Sequence, residues 1–164
     1  MTAVTHIVAP LMVLVLVGGA CGGEDPDVRP EEPARPVGTT DLRITTAAGT
    51  VDLHVEVADD PEERAVGLMH REALDPFDGM AFLWDEPVHT SFWMKDTLIP
   101  LSIAFWDEQG RIVSILDMEP CDADPCPTYG PGEEFLGAVE VEQGLFAERG
   151  VEVGDRVEIR EPAE

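Results

Sequence analysis

The sequence is poor in positive charge and above all in lysine. Its 164 residues include 34 acidic and only 10 basic side chains, so the formal net charge is -24. Nine of the basic residues are arginines, and Lys95 is the only lysine. Nucleic acids and anionic lipid surfaces are bound through clustered Lys and Arg side chains. We therefore expect no nucleic-acid partner and no direct electrostatic attachment to a membrane.

Long apolar runs are also missing. The run Ile7–Val17 is shorter than the ~20 residues that a membrane-spanning helix needs. It ends in small residues directly before Cys21, an order that resembles a bacterial lipoprotein signal, although no Lys or Arg precedes the run. We interpret residues 1–20 as a signal peptide and Cys21 as the first mature residue, which carries the lipid. The alternative is a cytosolic chain with a hydrophobic start.

Cysteine is scarce as well, with three residues in the whole chain. If Cys21 carries a lipid, Cys121 and Cys126 remain as a pair in a proline-rich loop. Such a pair forms a disulfide in an oxidising compartment. The alternative, a thiolate metal site, would need further ligands, and the chain has no second Cys pair. We predict an exported protein, anchored by its lipid at the extracellular or periplasmic face of the cell membrane.

Composition divides the rest of the chain into two parts. Residues 22–40 are rich in Pro, Gly and acids and have no apolar periodicity, which is typical of a flexible linker. Residues 41–160 contain about seven strand patterns and two short helices, the first beginning with a cap at Asp60 and a proline at position 61. No strand–helix–strand alternation is evident. The pattern predicts one α+β domain, mainly antiparallel β, built as a curled sheet or a small barrel.

Several segments resemble a known family in order and spacing. They are "PEERAVGLMHRE", "GMAFLW", "SFWMKDTLIPLSIAFWDEQGRIVSI", "PCPTYGP" and "GVEVGDRVEI". Together they are similar to the uncharacterised bacterial and archaeal family called domain of unknown function 192, over about Thr50–Ile159. The resemblance implies a compact β-rich domain, often exported and sometimes lipid-anchored. It implies no agreed activity, substrate or cofactor.

Enzyme signatures are absent from the sequence. There is no nucleophile elbow, phosphate-binding loop, dinucleotide fingerprint or zinc-protease helix. Methionines such as Met94 lie in core-like strands, where packing explains them better than copper binding. We therefore predict no catalytic residue, no metal and no cofactor. An enzyme remains the alternative if His70 or His89 lies beside a carboxylate and a Ser or Thr hydroxyl.

The segment around the only lysine is the strongest candidate for a site. If Phe92 and Met94 enter the core, strand alternation places Trp93 and Lys95 together on the opposite surface. An indole beside an ammonium group can stack on a flat or sugar-like ligand and pair with an anion. The competing interpretation is structural, with Lys95 covering the indole or pairing with a nearby carboxylate.

These observations predict a non-catalytic binding module for a small polar ligand or an envelope partner. A hydrolase or other enzyme that uses the same cleft is one alternative. A structural accessory protein, which would have no cleft near this segment, is another. The predicted ligand-binding residues are Trp93, Lys95, Asp96, Tyr129 and Arg71.

Overall fold

The computed structural model describes residues 38–160. The predicted signal peptide, Cys21 and most of the predicted linker lie outside this range. The first strand begins at Gly38, slightly before the predicted domain boundary at residue 41. The elements of the described part, in chain order, are β1 Gly38–Thr46, β2 Gly49–Ala58, α1 Pro61–Val66, β3 Gly79–Val88, β4 Phe92–Trp93, β5 Leu101–Trp106, β6 Ile112–Met118, β7 Thr128–Tyr129, β8 Phe135–Glu142, α2 Leu145–Glu148 and β9 Arg156–Arg160.

Seven strands form one mixed sheet in the order β6–β5–β8–β3–β2–β1–β9, and β4 pairs with β7 in a separate two-stranded sheet. All neighbours in the large sheet are antiparallel except β2 and β3, which are parallel with Val55 opposite Gly79. The prediction of a mainly antiparallel α+β fold is therefore confirmed only in part. The expectation of no strand–helix–strand crossover was wrong, because a connection with only a six-residue helix joins β2 to β3.

The large sheet curls until its two edges touch at one end. Arg111, just before β6, forms an isolated bridge with Arg156 at the start of β9. Beside this bridge, the Val157 amide donates to the Gly110 carbonyl at 2.7 Å. The contact does not extend along the strands, so the sheet is curled but not closed. The prediction of a curled sheet or small barrel is therefore confirmed only in part.

Helix α1 begins as the sequence predicts. The Asp60 carboxylate accepts a hydrogen bond from the Glu63 amide at 2.8 Å, and Pro61 occupies the first turn. This cap satisfies a backbone donor that has no partner within the helix. The helix ends at Gly67, whose φ of 49° is left-handed. Neither helix in residues 38–160 is long and apolar enough to cross a membrane.

Each face of the sheet carries its own core. The first core lies on one face, where α2 supplies Phe146, and it is apolar throughout: Leu42, Ile44, Val51, Leu53, Val55, Ala81, Ala104, Trp106, Ile112, Val139, Val141, Phe146, Val151 and Val157. The second core lies on the opposite face: Ala58, Leu68, Met80, Phe82, Met94, Leu101, Ile103, Phe105, Met118, Phe135 and Ala138. Because both faces are covered, β5 is buried along its whole length. Burial on both faces explains its continuous apolar sequence.

Candidate functional site

The segment around Lys95 alternates as predicted. The Met94 side chain is 1% exposed in the second core, and Phe92 packs against the same core. The Trp93 side chain is 50% exposed, and Lys95 is exposed as well. The sequence therefore identified correctly which side chains of this segment leave the core.

Lys95 lies against the indole of Trp93. Its Nζ atom is 5.3 Å from the centre of the Trp93 ring, a cation–π distance. Among residues 38–160, Lys95 forms no ion pair with a carboxylate. The ammonium group thus keeps its hydrogen-bond donors available to solvent or to a ligand.

Of the other three predicted site residues, one lies on the exposed surface with Trp93 and Lys95, and two make contacts below or beside it. Asp96 is exposed directly after Lys95. Tyr129 pairs with Phe92 across β4 and β7, so its side chain shares the face of Phe92 and packs against the second core. Arg71 donates from Nη2 to the Glu56 carboxylate at 2.9 Å. Only Asp96 thus shares the exposed segment with Trp93 and Lys95.

A disulfide holds the loop beside this segment. Cys121 and Cys126 are bonded, which confirms the predicted pair, and the backbone of Cys121 forms an isolated parallel bridge with Lys95. Downstream of the bond, Thr128 pairs with Trp93. The cross-linked loop is therefore attached to both Trp93 and Lys95 through the backbone and limits how far they can move.

A groove of about 290 Å³ runs between α1 and β4. Aromatic rings form much of its surface, with Trp93 at one side and Arg64 of α1 at the other. Arg64 lies 5.1 Å from the ring centre of Trp84 and also donates to the Leu83 carbonyl at 2.8 Å. The groove residues are Pro61, Arg64, Ala65, Phe82, Trp84, Thr90, Ser91, Phe92 and Trp93.

The groove continues into a small recess. The groove and the recess share the lining residues Arg64, Ala65, Phe82, Phe92 and Trp93. The volume of the recess is about 30 Å³. That volume suits about two waters or one small polar group. Beyond the shared positions, its walls are Val66, Gly67, Leu68, Met69, Thr97 and Glu140.

Glu140, in the middle of β8, is the unusual member of this set. It is 5% exposed, and its carboxyl group forms no hydrogen bond or ion pair with any residue of 38–160. Every fully enclosed polar side-chain atom in the same range has a hydrogen-bond partner. Because the carboxyl oxygens of Glu140 have none, they are not fully enclosed, and they reach the space of the recess that Glu140 lines. Burial raises the pKa of this carboxyl from 4.5 to about 8, because the charged form is poorly solvated there. Glu140 is therefore mostly protonated at neutral pH.

A second buried acid lies nearby but is paired. Met80 of β3 is opposite Glu56 of β2 on one side and opposite Glu140 of β8 on the other, so all three side chains share one face. Glu56 is 8% exposed and bonded to Arg71, whereas Glu140 has no such cation. Glu56 therefore holds the segment of Arg71 to the sheet, whereas Glu140 faces the open space of the recess.

Two turns next to the recess have unusual backbone geometry. His70 and Asp96 both have left-handed φ angles, 62° and 54°, and the His70 amide donates to the Asp96 carbonyl at 2.7 Å. Such conformations cost free energy for residues other than glycine and are frequent at functional sites. At Gly67, a β-carbon would lie 3.3 Å from Phe82 in the recess wall. The wall is thus built with little freedom to rearrange.

The described residues do not show the histidine pairing that the enzyme alternative predicted. In residues 38–160, neither His70 nor His89 forms a side-chain hydrogen bond with a carboxylate or hydroxyl group. The histidine that does have an acidic partner, His54, contacts Asp41 on the exposed side of β2. The titratable group of the candidate site is instead Glu140, which sequence reasoning missed. In the sequence it is visible only as an acid between Val139 and Val141 of β8.

Comparison with known proteins supports the resemblance seen in the sequence. Residues 43–159 match the model of the family DUF192, described as "Uncharacterized ACR". No curated protein matches the chain.

Two solved structures share this fold. One is a candidate transcription regulator from Sinorhizobium meliloti 1021, with 32% sequence identity and a TM-score of 0.69, over 77% of this chain and 98% of that chain. The other is a protein of unknown function from Novosphingobium aromaticivorans, with 31% identity and a TM-score of 0.68, over 77% of this chain and 89% of that chain. On the family match and these similarities, the chain belongs to the DUF192 family, the domain of unknown function 192.

Proposed function

We propose that this protein is an exported, lipid-anchored binding module whose groove beside Trp93 takes a small polar ligand. The observation that carries the proposal is the groove itself, which joins an exposed indole to the buried polar recess of Glu140. Ligand sites are typically concave and mostly apolar, with a few fixed polar groups. A purely structural accessory protein would have no need of such a groove.

The surface at the mouth of the groove supports this function. Trp93 is half exposed, and Lys95 places its ammonium group 5.3 Å from the indole ring. An exposed tryptophan offers a rigid flat face for a ring-shaped ligand. We assign ligand contact to Trp93 and Lys95, with Asp96 at the same edge, and treat Tyr129 and Arg71 as the support of this surface.

Export and anchoring rest on the sequence and on the disulfide. The Cys121–Cys126 bond is the kind of bond that persists in oxidising compartments. The test of the anchor is Cys21→Ser, which should move the protein from the membrane fraction to the soluble fraction. Retention of the variant in the membrane fraction would contradict lipid attachment at Cys21.

The description of one relative as a candidate transcription regulator does not by itself indicate DNA contact for this chain. With 34 acidic and 10 basic residues, the surface repels phosphates. Two arginines of the described part, Arg43 and Arg71, are already paired with acids. We therefore keep the proposal that no nucleic acid binds directly.

Binding is tested by titrating the purified protein with a library of sugars, small anions and short peptides while the indole N–H signal of Trp93 is followed by NMR. We expect at least one compound to shift this signal, with weaker binding to Lys95→Ala. The matched control is Arg149→Ala, which removes an exposed cation from the end of α2. Equal binding by Lys95→Ala and the unmodified protein would exclude Lys95 from the site.

An enzyme remains a second candidate because of one observation. A carboxyl group with its pKa raised to about 8 can act as a general acid at neutral pH, and Glu140 faces the same recess. Turnover of a bound library compound that Glu140→Gln abolishes while binding persists would favour this candidate over a binding module.

A further inference from the structure

The recess at the end of the groove bears on the chemical class of the ligand. Its single polar side chain in the sheet is Glu140, 95% buried and without a partner among residues 38–160. A buried polar group without a hydrogen bond destabilises a protein. Its location at the end of an open groove indicates that the missing partner comes from outside the chain.

We propose that the recess binds a hydroxyl-bearing arm of an uncharged sugar-like ring, with Glu140 as its hydrogen-bond partner and the ring lying in the groove against Trp93. This inference rests on the proposed function and deepens it by naming the ligand class. A hydroxyl group both donates and accepts, so it can pair with a carboxyl group in either protonation state. Thr97, 7% exposed, also lines the recess, and its hydroxyl, which donates to the Lys95 carbonyl at 3.4 Å, can still accept a hydrogen bond.

The size of the two spaces fits this class. The groove, about 290 Å³, is at the lower end of the range for small-ligand sites and suits a single ring. The recess, about 30 Å³, takes a hydroxyl or hydroxymethyl group but not a second ring. The apolar face of a sugar ring can stack on an exposed indole.

The charges around the recess disfavour an anionic arm. Its one cationic wall residue, Arg64, is held by hydrogen bonds from Nη1 to the carbonyl groups of Asp59 and Leu83 and lies over the Trp84 ring. Lys95 and Arg71 do not line the recess, and Arg71 is paired with Glu56. An anion entering the recess would lose its water beside the Glu140 carboxyl group, and ionised Glu140 would repel it.

Three matched probes test the inference on the full chain. Methyl glucoside carries a hydroxymethyl arm, methyl xyloside lacks that arm, and methyl glucuronide carries a carboxylate in its place. We expect the glucoside to shift the Trp93 indole N–H signal in NMR titrations and to bind about tenfold more tightly than the other two, since one buried hydrogen bond is at stake.

Variants at Glu140 separate this inference from the proposed function. Glu140→Leu should lower glucoside affinity about tenfold to that of the xyloside, while Glu140→Gln, which still donates and accepts, should retain discrimination. The control is Glu142→Gln, two positions along the same strand and exposed, which should change nothing. Circular dichroism checks that each variant folds.

Equal affinity for all three glycosides, or discrimination that survives Glu140→Leu, would overturn the inference while leaving a ligand site at Trp93. If none of the glycosides shifts the Trp93 signal, the sugar-like class is rejected. The proposed function then fails only if no anion or peptide of the wider library shifts the Trp93 signal either.

Discussion

The two faces of the large sheet differ in the polar side chains that they bury. The first face carries an apolar core, and its buried hydroxyl groups have partners: Ser102 donates to Asp117 and accepts from the Gly144 amide, and Thr40 donates to the Arg160 carbonyl. The second face buries two acids, Glu56 and Glu140, beside its apolar cluster. The buried polar groups of the first face are thus neutral hydroxyls. The second retains groups that a purely structural face would replace by apolar residues.

Glu56 and Glu140 are both buried acids, but they differ in their partners. Glu56 is bonded to Arg71 and thereby ties the segment after α1 to the sheet. Glu140 has no cation and faces a recess that opens into a groove. Unpaired buried acids are unfavourable and are concentrated at sites of binding and catalysis. The location of the unpaired acid is therefore the main structural argument for a site on the second face.

The largest effect is expected from moving an acid to the first face. Val139 precedes Glu140 in β8 and is fully buried in the first core. Val139→Glu should destabilise the domain by more than ~4 kcal/mol or prevent folding, because its neighbours across the sheet, Ala81 and Ala104, are apolar and fully buried. Urea denaturation measures the loss, and Val139→Ala, expected to lose about 2 kcal/mol, controls for lost packing. Tolerance of the acid would show that the two faces do not differ.

The next effect has the opposite sign and depends on pH. Between 4.5 and about 8 the unfolded chain releases a proton that folded Glu140 keeps, so this group lowers stability as the pH rises through that window. Glu140→Gln cannot ionise. It should be more stable than the unmodified protein by ~3 kcal/mol at pH 7 and nearly equal near pH 4. Urea denaturation across this range tests it, and a difference that does not vary with pH would refute it.

The smallest effect is expected at the paired acid. Arg71→Ala leaves Glu56 without its partner, but the Arg71 side chain is 36% exposed and water can replace part of the contact. We expect a loss of about 1 kcal/mol in thermal or urea unfolding. Arg149→Ala, which removes an exposed cation of α2, serves as the control. A loss as small as that of the control would mean that Glu56 needs no partner.

The sequence predicted elements whose determinants are local. The cap of α1 at Asp60 and the alternation around Trp93 depend on residues within a few positions of one another. The disulfide could also be predicted from the sequence, because Cys121 and Cys126 lie in one short loop.

The missed features depend on distant segments. In β8, alternation places Glu140 and Glu142 on one face, and two acids on a face ordinarily indicate exposure to solvent. Glu140 is buried only because the turns around Leu68 and Thr97 cover that part of the sheet. Glu56 is likewise buried, whereas Asp52 and His54 on the same face of β2 are exposed. Likewise, the parallel pairing of β2 with β3 cannot be read from either strand alone.

The protonation of Glu140 tests the central claim most directly. With the side-chain carboxyl carbons labelled by ¹³C, an NMR titration from pH 3 to 10 follows Glu140, and Glu140→Gln identifies its signal. An unpaired, buried carboxyl predicts a midpoint near 8, because burial raises its pKa to about that value. A midpoint near 4.5, the value of an ordinary glutamate, would show that Glu140 is solvated or paired and would contradict the account of the second face.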